Sequence, residues 1–174
     1  QFTIVTGLII IFLGTLIISS PLCSSTNVGL WEAFFTTTSA ITVTGLTIID
    51  IRVDLNIFGQ IFLALMLLSG GLGLMAITTF LQGFVVKGTQ LRTRLDKGKT
   101  LDEFGVGGIG RTFQSIAITA TCIISFGATA LYFFGFVDIQ NNWERIWYSI
   151  FHSISAYNNA GFSLWANSLE GYRS

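Results

Sequence analysis

Apolar residues along this chain do not alternate; they run. Three stretches carry no charged side chain: Phe2 to Pro21 and on to Leu30, Leu55 to Val86, and Thr112 to Val137. A helix of about 20 apolar residues, rising about 1.5 Å per residue, crosses the hydrocarbon core of a bilayer. The first stretch predicts one span with Pro21 as its stop, because proline cannot continue a helix. It is too long, and too poor in basic residues at its start, for a secretory signal. The third predicts one span as well. The second would be about 48 Å long if wholly helical, so it predicts a span that is tilted, kinked or extended past the membrane. Gly70, Gly71 and Gly73 in its middle predict a packing contact, with a hinge as the sharper alternative.

Composition agrees with this pattern. The 174 residues are 51% hydrophobic and only 10% charged, against about 25% charged in an ordinary soluble domain. Most of the chain therefore cannot face water, which excludes a disordered chain, a nucleic-acid-binding domain and an ordinary cytosolic enzyme. The net charge is zero, so the placement of charges matters more than their sum. Lys87, Arg92, Arg94, Lys97, Lys99 and Arg111 outnumber Asp96, Asp102 and Glu103 in the segment between the second and third spans, and the positive-inside bias predicts that segment to be cytoplasmic. Glu32, Asp50, Arg52, Asp54, Asp138, Glu144, Arg145, Glu170 and Arg173 then fall on the outer side, where their acidic excess would concentrate cations. Cys23 and Cys122 lie far apart, in or beside apolar runs, and are expected to be buried free thiols.

The segments between the spans repeat. Residues 31–47, WEAFFTTTSAITVTGLT, align without a gap with residues 147–163, WYSIFHSISAYNNAGFS, at an offset of 116. Trp31 matches Trp147, Phe35 matches Phe151, Ser39 matches Ser155, Ala40 matches Ala156 and Gly45 matches Gly161. Both copies follow an outgoing span, so the repeat is parallel rather than inverted. Each copy opens with an aromatic, apolar run of about 11 residues, a helix of roughly 16 Å, too short to cross. A polar, glycine-containing string follows: Thr42-Val43-Thr44-Gly45-Leu46-Thr47 in one, Asn158-Asn159-Ala160-Gly161-Phe162-Ser163 in the other. A half-helix that returns as extended chain leaves carbonyls unpaired at membrane depth, which is tolerated only inside protein or along a wet path. Such carbonyls can replace the water shell of a monovalent cation.

Other features have plainer readings. Gly105-Val106-Gly107-Gly108-Ile109-Gly110 spells G-x-G-x-x-G, but no strand precedes it and no acidic residue follows at the required distance, so it reads as a flexible entry to the third span. His152 reads as a packed, hydrogen-bonded residue. The hydroxyls of Thr36, Thr37, Thr38 and Ser39 are expected to bond their own helix rather than form a nucleophile. Trp31, Trp143, Trp147 and Trp165 fall on the outer side, as interfacial anchors do.

The strings TSAITVTGL, GGLGLM and FHSISAYNNAGFSL resemble the Trk/Ktr/HKT superfamily of potassium-translocating membrane subunits, with NNAGFSL most like the prokaryotic Ktr branch. The resemblance implies an all-α integral membrane protein of repeated span–re-entrant pore loop–span units, as in potassium channels. On that plan residues 1–86 form one unit, 87–111 a cytoplasmic basic loop, and 112–174 a second unit that stops after its pore loop. It implies filter glycines at Gly45 and Gly161, with Val43, Thr44, Leu46, Asn159, Ala160 and Phe162 supplying neighbouring carbonyls. It further implies potassium uptake, often sodium-dependent in the Ktr branch, across a prokaryotic cell membrane. The implied partners are the lipid bilayer, the remaining repeats of the same subunit, a second copy in a homodimer and a cytosolic nucleotide-binding regulatory subunit. No nucleic acid, no catalysis and no cofactor beyond the transported potassium or sodium ion is expected. The competing class, a secondary transporter of a small organic solute built on broken helices, commonly relates its halves by inversion and is disfavoured by the parallel repeat.

Overall fold

The computed structural model describes residues 2–71 and 106–165. Those residues form six α-helices: α1 (Phe2–Ile18), α2 (Leu30–Ile41), the single turn α3 (Ile51–Asp54), α4 (Ile57–Gly71), α5 (Val106–Ala130) and α6 (Asn142–Tyr157). Helix α1 packs along α2, α2 on α4, α5 on α6, and α4 meets α6, which joins the two halves. Ile18, Leu63, Leu67, Phe136, Phe151 and Leu164 are fully buried at these contacts. One polar link lies among them: the hydroxyls of Thr15 on α1 and Thr37 on α2 meet at 3.1 Å.

The outer surfaces are apolar. Ile4, Leu8 and Phe12 recur every fourth residue along α1 and stay more than half exposed, as do Phe126 on α5 and Phe134 just beyond it. An apolar stripe of this extent on a monomer marks a face meant for lipid or for further protein. Gln114–Gly135 is the one described helical stretch long and apolar enough to cross a membrane, while Ile4–Ile18 and Ile57–Gly71 are shorter apolar helices.

Caps set the helix limits. Helix α1 ends at Ile18, three residues ahead of Pro21. The Gly29 amide at the start of α2 donates to Glu32 Oε2 at 2.9 Å. Asn141 Oδ1 accepts from the Trp143 amide at 3.1 Å at the start of α6, so this helix begins five residues before the repeated string does. Asp50 caps α3 by accepting from the amides of Arg52 and Val53 at 3.0 and 3.3 Å. Asp54 Oδ2 reaches back to the Asp50 amide at 2.8 Å. An antiparallel bridge between Ser24 and Leu55 and a bond from the Asn56 amide to the Cys23 carbonyl at 3.0 Å tie the far end of α1 to the start of α4. A Cβ at Gly59 would overlap the same Cys23 carbonyl.

Three expectations change. Val106 to Gly110 are already helical, so the glycine string is not a flexible entry; glycines in a long helix weaken it without ending it. Both cysteines are free, but only Cys23 is buried; Cys122 is exposed on α5. Burial pushes the Cys23 thiol above its ordinary pKa. Trp31 and Trp143 are exposed, whereas Trp147 and Trp165 pack inward against the core. Gly73 and most of the 87–111 segment lie outside the described residues.

Helix α5 ends in a π turn, Leu131–Gly135, closed by a bond from the Phe136 amide to the Leu131 carbonyl at 2.9 Å. A π turn shifts carbonyls out of the regular ladder. The Tyr132 carbonyl accepts from Arg145 Nε at 2.8 Å and also from Nη2, and the guanidinium sits 4.4 Å from the centroid of the Tyr132 ring. Two contacts join the halves nearby. Trp147 Nε1 donates to Gln60 Oε1 at 2.7 Å, and Gln60 Nε2 donates to the carbonyls of Leu55 and Ile51 at 3.0 and 3.4 Å. Arg52 and Glu144 pair at 3.7 Å but are about half exposed, so that pair contributes under about 1 kcal/mol.

Candidate functional site

The two repeated segments adopt one backbone path. Helix α2 ends at Ile41, Thr42 keeps helical angles (φ −82°, ψ −2°), and Val43 and Gly45 then take φ of 56° and 82°. Helix α6 ends at Tyr157, Asn158 has φ −80° and ψ −2°, and Asn159 and Gly161 take 53° and 75°. The amides of Val43 and Thr44 bond the carbonyls of Ala40 and Ser39 at 3.2 and 2.9 Å, and those of Asn159 and Ala160 bond Ala156 and Ser155 at 3.0 and 2.9 Å. This is the Schellman closure, in which the first residue past the cap sits in the left-handed region. Asparagine accepts that conformation readily and a β-branched residue does not.

Exchanging the two residues tests this asymmetry. Val43→Asn should stabilise the folded protein by about 1 kcal/mol, and Asn159→Val should destabilise it by about 1–2 kcal/mol. Thermal unfolding in detergent reads both, and shifts of the same sign would contradict the assignment.

A serine holds each bend to its own helix. Ser39 Oγ accepts from the Leu46 amide at 2.8 Å, and Ser155 Oγ donates to the Phe162 carbonyl at 2.7 Å. The alignment flagged these serines as an identical pair, but their role was not legible from it. The Phe162 oxygen, one of those expected to face an ion, accepts this hydroxyl, because a buried hydroxyl needs an acceptor. By contrast, no hydrogen bond among the described residues ends on the carbonyl oxygens of Val43, Thr44, Gly45, Leu46, Asn159, Ala160 or Gly161.

The bends meet. A Cβ at Gly45 would overlap the Ala160 carbonyl oxygen and lie 3.4 Å from Gly161 Cα, while a Cβ at Gly161 would meet nothing within 4 Å. A cavity of about 360 Å³ opens beside them, lined by Gly45, Leu46, Asp50, Gly161, Phe162 and Ser163 among others. Helix α4 closes in on the bends through its last two glycines. A Cβ at Gly70 would overlap the Ile41 carbonyl, and one at Gly71 would overlap the side chain of Asn158. Both glycines are thus packing positions, one against each bend. Asn158 is buried; its Nδ2 donates to the Ile154 carbonyl at 3.0 Å, and its Oδ1 has no partner among the described residues.

His152 and the hydroxyl run are likewise placed. His152 is buried within α6. Thr37 bonds the Ala33 carbonyl at 2.8 Å, as expected for a helix hydroxyl, whereas the buried hydroxyls of Thr36 and Thr38 have no partner among the described residues. No group of three or more acidic, cysteine or histidine side chains that could hold a metal ion occurs among the described residues. The bend oxygens that meet no hydrogen-bond donor among the described residues are neutral main-chain carbonyls.

The model of the TrkH family, described as cation transport protein, matches residues 1–174. Ktr system potassium uptake protein B of Bacillus subtilis is 30% identical over 170 residues, covering 93% of this chain and 36% of that protein. The protein of the same name from Vibrio alginolyticus is 32% identical over 173 residues, covering 92% and 36%. Potassium/sodium uptake protein NtpJ of Enterococcus hirae is 34% identical over 140 residues, covering 79% and 30%. The chain therefore spans about a third of the length of the curated relatives it matches. With a family model matched from its first residue to its last, the chain belongs to the TrkH family of cation transport proteins.

Proposed function

We propose that this chain forms part of the pore of a potassium-transporting membrane protein. Carbonyl oxygens of Val43, Thr44, Gly45 and Leu46, with those of Asn159, Ala160 and Gly161, replace the hydration of the passing cation. The observation that carries this reading is the pair of equivalent bends, 116 residues apart, at which the carbonyls of residues 43–46 and 159–161 meet no hydrogen-bond donor among the described residues. An unpaired peptide carbonyl costs free energy at membrane depth unless water or an ion meets it. Helices α2 and α6 end at these bends, and their C-termini add partial negative charge toward the same point.

The relatives named for potassium, and in one case potassium/sodium, uptake support potassium as the cargo, with sodium as a co-transported or stimulating ion. On this reading the two bends belong to a larger ring. Trp147 is tied to Gln60 of the first unit, whereas its counterpart Trp31 is exposed, which suits a further repeat packing there. A second subunit copy and a cytosolic nucleotide-binding regulator complete the assembly. The protein sits in a prokaryotic cell membrane, with the basic segment 87–111 cytoplasmic and the bends toward the outside.

Expression of the full-length protein in a bacterium that lacks its own potassium uptake tests this. Growth on limiting potassium and uptake of radioactive rubidium are expected. Membrane-inserted protein that supports neither would overturn the reading.

A further inference from the structure

We propose that His152 is a positioning residue that fixes the cation preference of the second bend. The inference rests on the reading of that bend as part of a cation path. His152 lies on α6, nine residues before Gly161 in the chain. Its Nδ1 is 2.8 Å from the Tyr148 carbonyl. A carbonyl only accepts, so Nδ1 carries the proton and Nε2 bears a lone pair. That lone pair faces two donors on the segment after the bend: the Ser163 hydroxyl at 3.2 Å and the Leu164 amide at 3.4 Å. Ser163 Oγ in turn accepts from the Trp165 amide at 3.1 Å. The Trp165 ring stacks on the imidazole, with centroids 4.6 Å apart and planes 29° apart, and Phe136 and Phe151 present their edges to it at 5.4 and 5.8 Å. One neutral ring thus grips three consecutive residues, beginning two beyond Gly161, and ties them to the helix that precedes the bend.

The first unit has the same turn without the tie. Thr47 Oγ1 accepts from the Ile49 amide at 3.2 Å, as Ser163 does from Trp165. The hydroxyl of Thr47 then bonds the Ile49 carbonyl at 3.0 Å, while Thr36, at the place of His152, has a buried hydroxyl with no partner among the described residues. The histidine therefore gives the second bend a tie to its own helix that the first bend lacks, on the same backbone path. A carbonyl set distinguishes ions of different size only as far as its spacing is held.

The test compares His152→Gln, His152→Asn and His152→Leu in the full-length protein, by competition of potassium and sodium for rubidium uptake. Glutamine places an amide oxygen near the position of Nε2; asparagine reaches only the position of Nδ1; leucine has no polar atom. Glutamine should hold the potassium-over-sodium preference within about twofold of the parent, and asparagine and leucine should lower it about tenfold, roughly what one lost buried hydrogen bond gives. If leucine fails to reach the membrane, the asparagine–glutamine pair decides. Three variants alike, whether all unchanged or all equally impaired, would overturn the proposal and leave His152 as core packing. Gly45→Ala, run in parallel, separates the failures. If it lowers the preference while asparagine at 152 does not, the cation path stands and the role of His152 falls; if neither does, the path itself falls.

Discussion

Replacing Gly45 by alanine in the full-length protein is expected to lower potassium-over-sodium discrimination by at least about tenfold. Two costs act together there. Gly45 has φ +82°, and an L side chain held in the left-handed region costs about 1–2 kcal/mol. The new Cβ would also overlap the Ala160 carbonyl oxygen. The second cost cannot be relieved by a rotamer change, because both groups are backbone. The bends must separate, and with them the oxygens of residues 43–46 and 159–161. Since about 1.4 kcal/mol corresponds to tenfold in an equilibrium, strain of about 1–2 kcal/mol alone gives roughly five- to thirtyfold, and the overlap adds to it. Gly161→Ala carries only the strain cost within the described residues, since its Cβ meets nothing within 4 Å. If a third bend seats against Gly161 as the second seats against Gly45, the two substitutions should be equally severe, and that equality is expected. Uptake assays with competing sodium read both. A Gly45→Ala protein with parental preference would sink the assignment of this bend.

Gly70→Ala is expected to have the next largest effect, and of a different kind. A Cβ there would overlap the Ile41 carbonyl and lie 3.0 Å from that of Ala40. Helix α4 would have to move away from the end of α2, which it packs against. Overpacking of this sort costs about 1–3 kcal/mol or more when backbone is the obstacle. Thermal stability in detergent should fall by several degrees, with uptake falling alongside it. Gly71→Ala should be milder, because the atoms it meets belong to the Asn158 side chain, which can change rotamer. A hinge role would give the opposite pattern: stability near the parental value and a change confined to transport rates.

How much of this could be read in the amino acids differs from element to element, for physical reasons. The helices were legible because three stretches lack any charge, and a bilayer demands such stretches. The bends were legible because Gly45 and Gly161 recur at one offset within matching aromatic contexts. The conformation of Val43 was not: a β-branched residue with φ 56° goes against local preference, and the Schellman closure of α2 imposes it. The grip of His152 on Ser163 and Leu164 was hidden as well, since Thr36 at the matching position makes no such contact. Trp147 and Trp165 look like interfacial anchors in the chain, yet one donates to Gln60 and the other stacks on His152. Tertiary partners from the other unit, or from beyond the bend, decide such cases, and spacing along one segment cannot name them. The early start of α6 has a local cause, the Asn141 cap, which lies outside the repeated string.

The account stands on main-chain oxygens at the two bends serving as ligands for an alkali cation. Crystals of the full-length protein grown or soaked with rubidium test it most directly through the anomalous signal of the ion. A peak bounded by the carbonyls of residues 43–46 and 159–161, absent when sodium replaces rubidium, is the expected result. Rubidium bound only elsewhere, with those carbonyls closed by hydrogen bonds to protein, would contradict it.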